Sequence, residues 1–450
     1  MPIQSSFGAL HIPTNGNPLI GGTGWISKLD TKQGVTAIVT PAIADPDGTN
    51  QVISLIPQYV YLGNTYPSTM LVANNTGVLN VQLDAGIATP QSGSLFRTTS
   101  DVMIIGRNSA GNAQITRMNP SNPLVDLLSF QTISAFHTGI VCSGDNSVSR
   151  PPFYAITSPS QGNPGTATIT KFSQTISTVT ETWKKSINAF TSGLYFKKIF
   201  SRIESATSEI YIAGDLESTT GGSRKLYIAK LSSTGTFLWQ NVIGWNSGQL
   251  EVKGFTEGYI LCNDGIFISY NIFTGALGSA AYISGFSTSL NPGITTTFNG
   301  EISSISRGGM YIPDLTQAFN FGTVIARQIT NVTDPDTVWT AIGQIGTNTL
   351  TTNNGVVLGG AGITAGFVDF YAITMQVPYT GKIPYSGTYV LDGKTFTYTP
   401  VATVTATNAI SDLTQTTPSF TFTTTTTART PGGGGGDPTT YTYNKINIGV

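Results

Sequence analysis

Charge is scarce in this chain. Of 450 residues, 22 are Lys or Arg and 23 are Asp or Glu, which is 10% of the total, against about 25% in an ordinary globular domain. The charges balance to −1, so there is no basic surface of the kind that neutralises phosphates, and nucleic acid is not expected as a partner. No apolar run reaches the length of about 18 residues that a spanning helix needs, so no membrane insertion is expected. Histidine is limited to His11 and His137. Neither has a Cys, His, Asp or Glu at metal-ligand spacing, and neither stands in a pattern that would orient it as a catalytic base. A Gly-x-Ser-x-Gly elbow, a phosphate loop and a dinucleotide fingerprint in strand–turn–helix context are all missing. No catalytic, cofactor-binding or metal-binding residue is therefore assigned, and no cofactor is expected. Cysteine occurs twice, as Cys142 in GIVCSG and Cys262 in YILCND. Both lie in apolar runs, as buried free thiols do; whether they are free or paired is left open, because spacing does not fix a disulfide.

What the chain does have is Gly (51 residues), abundant Thr, Ser and Asn, and a two-part phrase recurring roughly every 50 residues. The first part is an apolar-aromatic run closed by Gly or a turn residue. It occurs at 59–63 (YVYLG), 102–106 (VMIIG), 153–157 (FYAIT), 210–214 (IYIAG), 259–263 (YILCN), 310–314 (MYIPD) and 356–360 (VVLGG). The second part is an alternating run with a polar or cationic residue in its middle, often followed by a turn. It occurs at 25–34, 71–77, 113–119, 167–173, 226–235, 267–275, 324–330 and 371–381. Alternation marks half-buried strands. The Ser-Thr-Gly and Phe-Thr-Gly endings suit tight turns, where Gly supplies positive φ at low steric cost.

Short strands repeating at this period predict an all-β fold, a β-propeller of about seven four-stranded blades with eight still open. The surplus copy of the second part is N-terminal. It either completes the blade begun near the C-terminus, which removes an exposed sheet edge, or belongs to an eighth blade. The copy IYIAG…LYIAKLSSTG resembles the β-propeller repeats of bacterial and phage surface proteins. The copy YILCNDGIFISYNIFTGAL is also similar to the quinone-type propeller blade. The resemblance covers about residues 20–380 and implies the fold without an activity. The Gly-His and Trp-Asp pairs of WD-type repeats and the Asp-box are absent.

The domain reading is an N-terminal arm (1–20), a propeller (21–380), a small β module (381–430), and a Gly-rich joint with a C-terminal strand or arm (431–450). Asp392-Gly393, between two alternating runs, is a hairpin signal. The run Gly432–Gly436 reads as a flexible joint, and 441–450 as a strand able to add to a neighbouring sheet.

Other candidates weigh less. Asp45, Asp47 and Asn50 have the look of the start of a calcium loop, but position twelve is Ile56 rather than Glu, so a plain turn is the better reading. Asp334 and Asp336 are weaker. Trp25, Trp239 and Trp339 fall in strand phase and read as core; Trp183 and Trp245 are the better surface candidates. Lys28, Arg117, Lys171, Lys230 and Arg327 share one slot of the repeat and are read as architecture. A site, if present, is expected where the repeat breaks down. The N-terminus has no basic region and no apolar stretch of secretion-signal type. With the charge-poor, Thr- and Gly-rich body, that leads to the expectation of a non-enzymatic bacteriophage virion protein (tail, fibre or spike), assembled in the host cytoplasm and exposed outside. Its partners would be other virion proteins, itself through the arms, and a host-surface glycan or protein. The alternatives are a secreted glycan-binding propeller and, third, a polysaccharide-degrading enzyme.

Overall fold

The computed structural model describes side chains over residues 103–104, 114–117, 138–141, 150–159, 164–175, 179–202, 207–217, 223–284, 319–323 and 405–425, and strand backbone elsewhere. The fold is all-β and of the β-propeller class, built of antiparallel sheets, several of them with four strands that follow one another up-and-down in chain order. The chain forms two compact units. One comprises residues 96–283 and 407–434, the other residues 1–95, 284–406 and 435–450.

Three successive sheets of the first unit position everything discussed below. Sheet I consists of His137–Cys142, Phe153–Thr157, Thr166–Gln174 and Val179–Asn188. Sheet II consists of Leu194–Glu204, Thr207–Leu216, Lys225–Leu231 and Phe237–Trp245. Sheet III consists of Val252–Thr256, Tyr259–Cys262, Ile266–Tyr270 and Leu277–Ile283.

The recurring phrase forms the second and third strands of each sheet. These strands are buried on both faces rather than on one, which corrects the half-buried reading. The reason is that sheets I and II are each covered by a neighbour on either side. In sheet II, Ile210 and Ile212 join Tyr227, Ala229 and Leu231 in a core shared with sheet I. The alternate residues Tyr211, Ala213, Leu226 and Ile228 join a core shared with sheet III. A strand with two cores reads as a continuous apolar run, and its period of two survives only as a choice between cores.

The first strands of sheets I, II and III pack against one another in sequence. Each carries a β-bulge, between His137 and Gly139, Phe196 and Lys198, and Val252 and Gly254. The residues thrown out of register are therefore Thr138, Lys197 and Lys253.

The outer edge of each fourth strand would be left unpaired, a liability for any sheet. The C-terminal segment covers part of it. Leu413–Thr416 pairs antiparallel with Phe237–Trp245, with Gln415 opposite Ile243. Thr423–Thr425 pairs with Val179–Asn188 in the same sense. Between them, Phe420 and Phe422 pack into the sheet I–II core, Phe422 lying 4.7 Å from Phe237 and Phe420 5.6 Å from Tyr227. The Thr-rich stretch set apart by its composition thus supplies edge strands to the repeat.

In the second unit, Trp25–Thr31 pairs antiparallel with Phe370–Pro378, Lys28 opposite Ile373. It is the fourth strand of a sheet whose other strands are Val338–Ile345, Gly355–Ile363 and Phe370–Pro378. The surplus N-terminal copy therefore completes a sheet begun near the C-terminus. Tyr443–Asn447 adds to the same sheet as a fifth strand, next to Trp25–Thr31. The Asp-Gly hairpin is present, Leu391 facing Lys394 across it.

Candidate functional site

The repeated polar residues latch one sheet to the next. On the third strands, Lys171 and Lys230 each lie between two aromatic cross-strand partners, Tyr154 and Trp183 for Lys171, Tyr211 and Trp239 for Lys230. The ammonium groups sit over the tyrosine rings at 5.7 and 5.3 Å, the arrangement in which the ring's negative face stabilises a cation. Both side chains then reach forward. Lys171 donates to the Ser233 carbonyl of sheet II at 3.0 Å. Lys230 lies 5.7 Å over Phe273 of sheet III and pairs with Glu209 of its own sheet. Arg117 does the same one sheet earlier, donating to Gln174 Oε1 at 3.0 Å and the Thr175 carbonyl at 2.7 Å. Two of these cations are buried, Arg117 at 0% exposure and Lys230 at 4%, and Lys171 is half-buried.

The tryptophans follow the same rule. Trp183 donates through Nε1 to the Ser233 carbonyl at 3.2 Å, and its ring lies where a Cβ on Gly235 would meet it at 3.1 Å. Trp239 stands in the same relation to Gly275, at 2.7 Å. Gly235 and Gly275 have φ of 82° and 71°, so these turns need Gly both for their backbone conformation and for the ring beneath them. Trp183 is buried at 7% exposure; the surface reading of this residue is wrong, because its slot is the one Trp239 fills a sheet later. Trp245 is half-buried and packs against Gly248.

A second latch joins the end of each second strand to the next first strand. Ser158 Oγ accepts the Phe196 N–H at 2.6 Å, and Asp215 Oδ1 accepts the Val252 N–H at 2.9 Å. The C-terminal segment adds a third. Gln415 donates to the Gly275 carbonyl and accepts from the Leu277 N–H, both at 3.0 Å, and Asn241 donates to the same carbonyl at 3.0 Å.

Where the repeat keeps its geometry but changes its chemistry, charge collects. At the sheet II–III junction, Lys197 lies 3.7 Å from Asp215, Arg224 lies 3.6 Å from both Glu217 and Glu251, and Lys253 lies 3.1 Å from Glu251. In a chain with so few charges this is a dense cluster. Burial pushes the Asp215 carboxyl up to about 6, against the pull of Lys197 and of the Val252 N–H. Burial, with Lys197 and Lys253 nearby, lowers the Lys198 ammonium to about 8. Displaced titrations of this kind gather at functional sites as well as in structural networks. Cys262, a free and buried thiol beneath the cluster, is driven up by burial and by Asp215 and Glu251. A raised thiol is a poor nucleophile.

Among the described residues, no group of three or more His, Cys, Asp or Glu side chains is arranged to hold a metal ion, and no helix is long and apolar enough to cross a membrane. His11, Asp45, Asp47, Asn50, Asp334 and Asp336, and the side chains of Trp25, Lys28, Cys142, His137, Arg327 and Trp339, lie outside the described residues. The reading of the cation slot as architecture holds for Arg117, Lys171 and Lys230. The cluster of Lys197, Lys198 and Lys253 was not singled out from the sequence. The signal was there: FKKIF and EVKGF put lysine inside apolar runs, ahead of the recurring phrase rather than within it.

No protein-family model matches the sequence, and no curated protein is found similar to it. Among solved structures, the Dos1 propeller is 10% identical, with a TM-score of 0.39 over 82% of this chain and 93% of that one. The C-terminal WD40 domain of Sif2 is 10% identical, with a TM-score of 0.42 over 79% and 90%. A neuraminidase-like protein from A/bat/Guatemala/164/2009 is 9% identical, with a TM-score of 0.35 over 83% and 96%. At TM-scores this low the likenesses carry no argument about what the chain does.

Proposed function

We propose that this protein is a non-enzymatic structural component of a bacteriophage virion, a tail, fibre or surface-spike protein in which the propeller serves as a rigid platform. The observation that carries this reading is the use made of the buried and half-buried polar side chains. Arg117, Lys171, Lys230, Ser158, Asp215 and Asn241 each bind the next sheet, and the C-terminal segment ties sheet edges from outside. Such a chain is built to resist opening. Sparse charge and a Thr- and Gly-rich composition suit a protein exposed outside cells, and the resemblance to phage-type repeats points the same way. The terminal strands, which pair with each other and so complete one sheet, are suited to joining this protein to other virion proteins or to a second copy by strand exchange.

Mass spectrometry of purified phage particles and of culture supernatant tests the assignment. The protein is expected in particles at stoichiometric abundance; its absence from particles, with presence in the supernatant, would overturn it. The second reading, a secreted glycan-binding propeller, draws on Phe273, which is 61% exposed on a turn beside Arg202. Binding of the soluble protein to neutral oligosaccharides on an array, lost in Phe273→Ala, would favour it.

A further inference from the structure

The bulges of the first strands are the place to look for a ligand. A bulge leaves one residue out of the ladder and re-aims its side chain, and here three successive sheets carry one. The geometry is constant and the residue is not: Thr138 in sheet I, Lys197 in sheet II, Lys253 in sheet III. The residue that follows the bulge is Gly139 in sheet I and Gly254 in sheet III, but Lys198 in sheet II. Lys198 is thus a departure from the repeat that no latch explains.

The surroundings leave this lysine surplus. Three carboxylates are present, Asp215, Glu217 and Glu251, and each already faces a cation in Lys197, Arg224 or Lys253. Lys198 is half-buried and makes no hydrogen bond or ion pair with the described residues. It sits within electrostatic range of Lys197, Lys253 and Asp215. In sheet I, the Thr138 hydroxyl is buried without a hydrogen-bond partner among the described residues, which is uncommon for a polar atom away from water. A half-buried cation crowded by two others is stabilised by an anion that brings its own acceptor oxygens.

We propose that the bulges of sheets II and III form an oxyanion-binding site, with Lys198 as the principal ligand-binding cation and Lys197 and Lys253 beside it. The ligand is a small molecule or substituent carrying a carboxylate or a phosphate. Asp215 and Glu251 hold the flanking lysines in place. The proposal does not depend on where the protein resides, so it stands or falls separately from the virion assignment.

Isothermal titration calorimetry on the full chain at neutral pH and low salt tests it, with three probes: a digalacturonate, inorganic phosphate and a neutral digalactoside. At least one anionic probe is expected to bind and the neutral one is not. Lys198→Gln is expected to weaken that binding by roughly tenfold or more, the loss of a charge-assisted hydrogen bond, while the melting temperature stays unchanged. Lys198→Arg is expected to retain binding. Preference for the uronate assigns a carboxylate ligand, and preference for phosphate assigns a phosphate. Failure of both anionic probes to bind the folded chain, equal binding of the neutral probe, or undiminished binding by Lys198→Gln would each overturn the proposal.

Discussion

The third strands and the first strands of these sheets treat lysine differently. On the third strands, Lys171 and Lys230 occupy the same slot, each lie over the tyrosine paired with it, Tyr154 and Tyr211, and reach into the next sheet. On the first strands, a bulge recurs at each sheet while its residue changes from Thr138 to Lys197 to Lys253. The first pattern is what architecture produces, since every junction needs the same fastening. The second is what a site produces, since a ligand meets one particular place. Sheet III departs from the first pattern: its slot holds Tyr270, which donates to the Thr256 carbonyl of its own sheet at 3.0 Å.

Substitutions can break this comparison. The largest effect is expected from Trp183→Ala, which removes a ring from the sheet I–II core and its bond to Ser233; a loss of about 3–5 kcal/mol is expected in denaturant unfolding. Lys230→Met is next. It leaves Glu209 in a poorly solvated place without its cation, at a cost of about 3 kcal/mol, and the double variant with Glu209→Gln should recover much of that loss. A stabilising Lys230→Met would show that the slot is not a latch.

Asp215 gives a pH test. Its folded-state value of about 6 lies above the ordinary carboxyl value of about 3.9, so the native protein holds this proton more tightly than the unfolded chain does. The stabilising contribution of the neutral form is complete below about pH 4 and is lost as pH rises through about 6. From there upward, the ionised carboxylate lowers stability by up to about 3 kcal/mol. Asp215→Asn, which can still accept the Val252 N–H, is expected to flatten unfolding free energy against pH across that window. The smallest effect is expected from Gln415→Ala, about 1 kcal/mol, for two hydrogen bonds that tie the C-terminal segment to the Gly275 turn.

Much of the fold is legible in the sequence, because the recurring phrase encodes strand, turn and strand locally. Asp392-Gly393 marks its hairpin, and the surplus run at 25–34 marks the N-terminal strand that completes a sheet. What could not be read is what depends on neighbours. Trp183 looks out of place along the chain, and only the pairing of Lys171 with it shows that it repeats Trp239. The two-core burial of 210–214 reads as a half-buried strand until sheets on both sides are known. A bulge leaves almost no local signal, so lysine inside the apolar runs FKKIF and EVKGF did not by itself single out Lys197 and Lys253. Their junction draws together residues from 197 to 253 that no spacing rule connects.

The most direct test of the difference between latch and site sets Lys230→Met beside Lys198→Gln, measuring melting temperature and oxyanion affinity on both proteins. Lys230→Met is expected to melt several degrees lower and to keep its affinity for the anionic probe; Lys198→Gln is expected to keep its melting temperature and lose affinity by about tenfold. If Lys198→Gln destabilises the fold as much as Lys230→Met does and leaves anion binding untouched, both lysines are architecture and the division between them is contradicted.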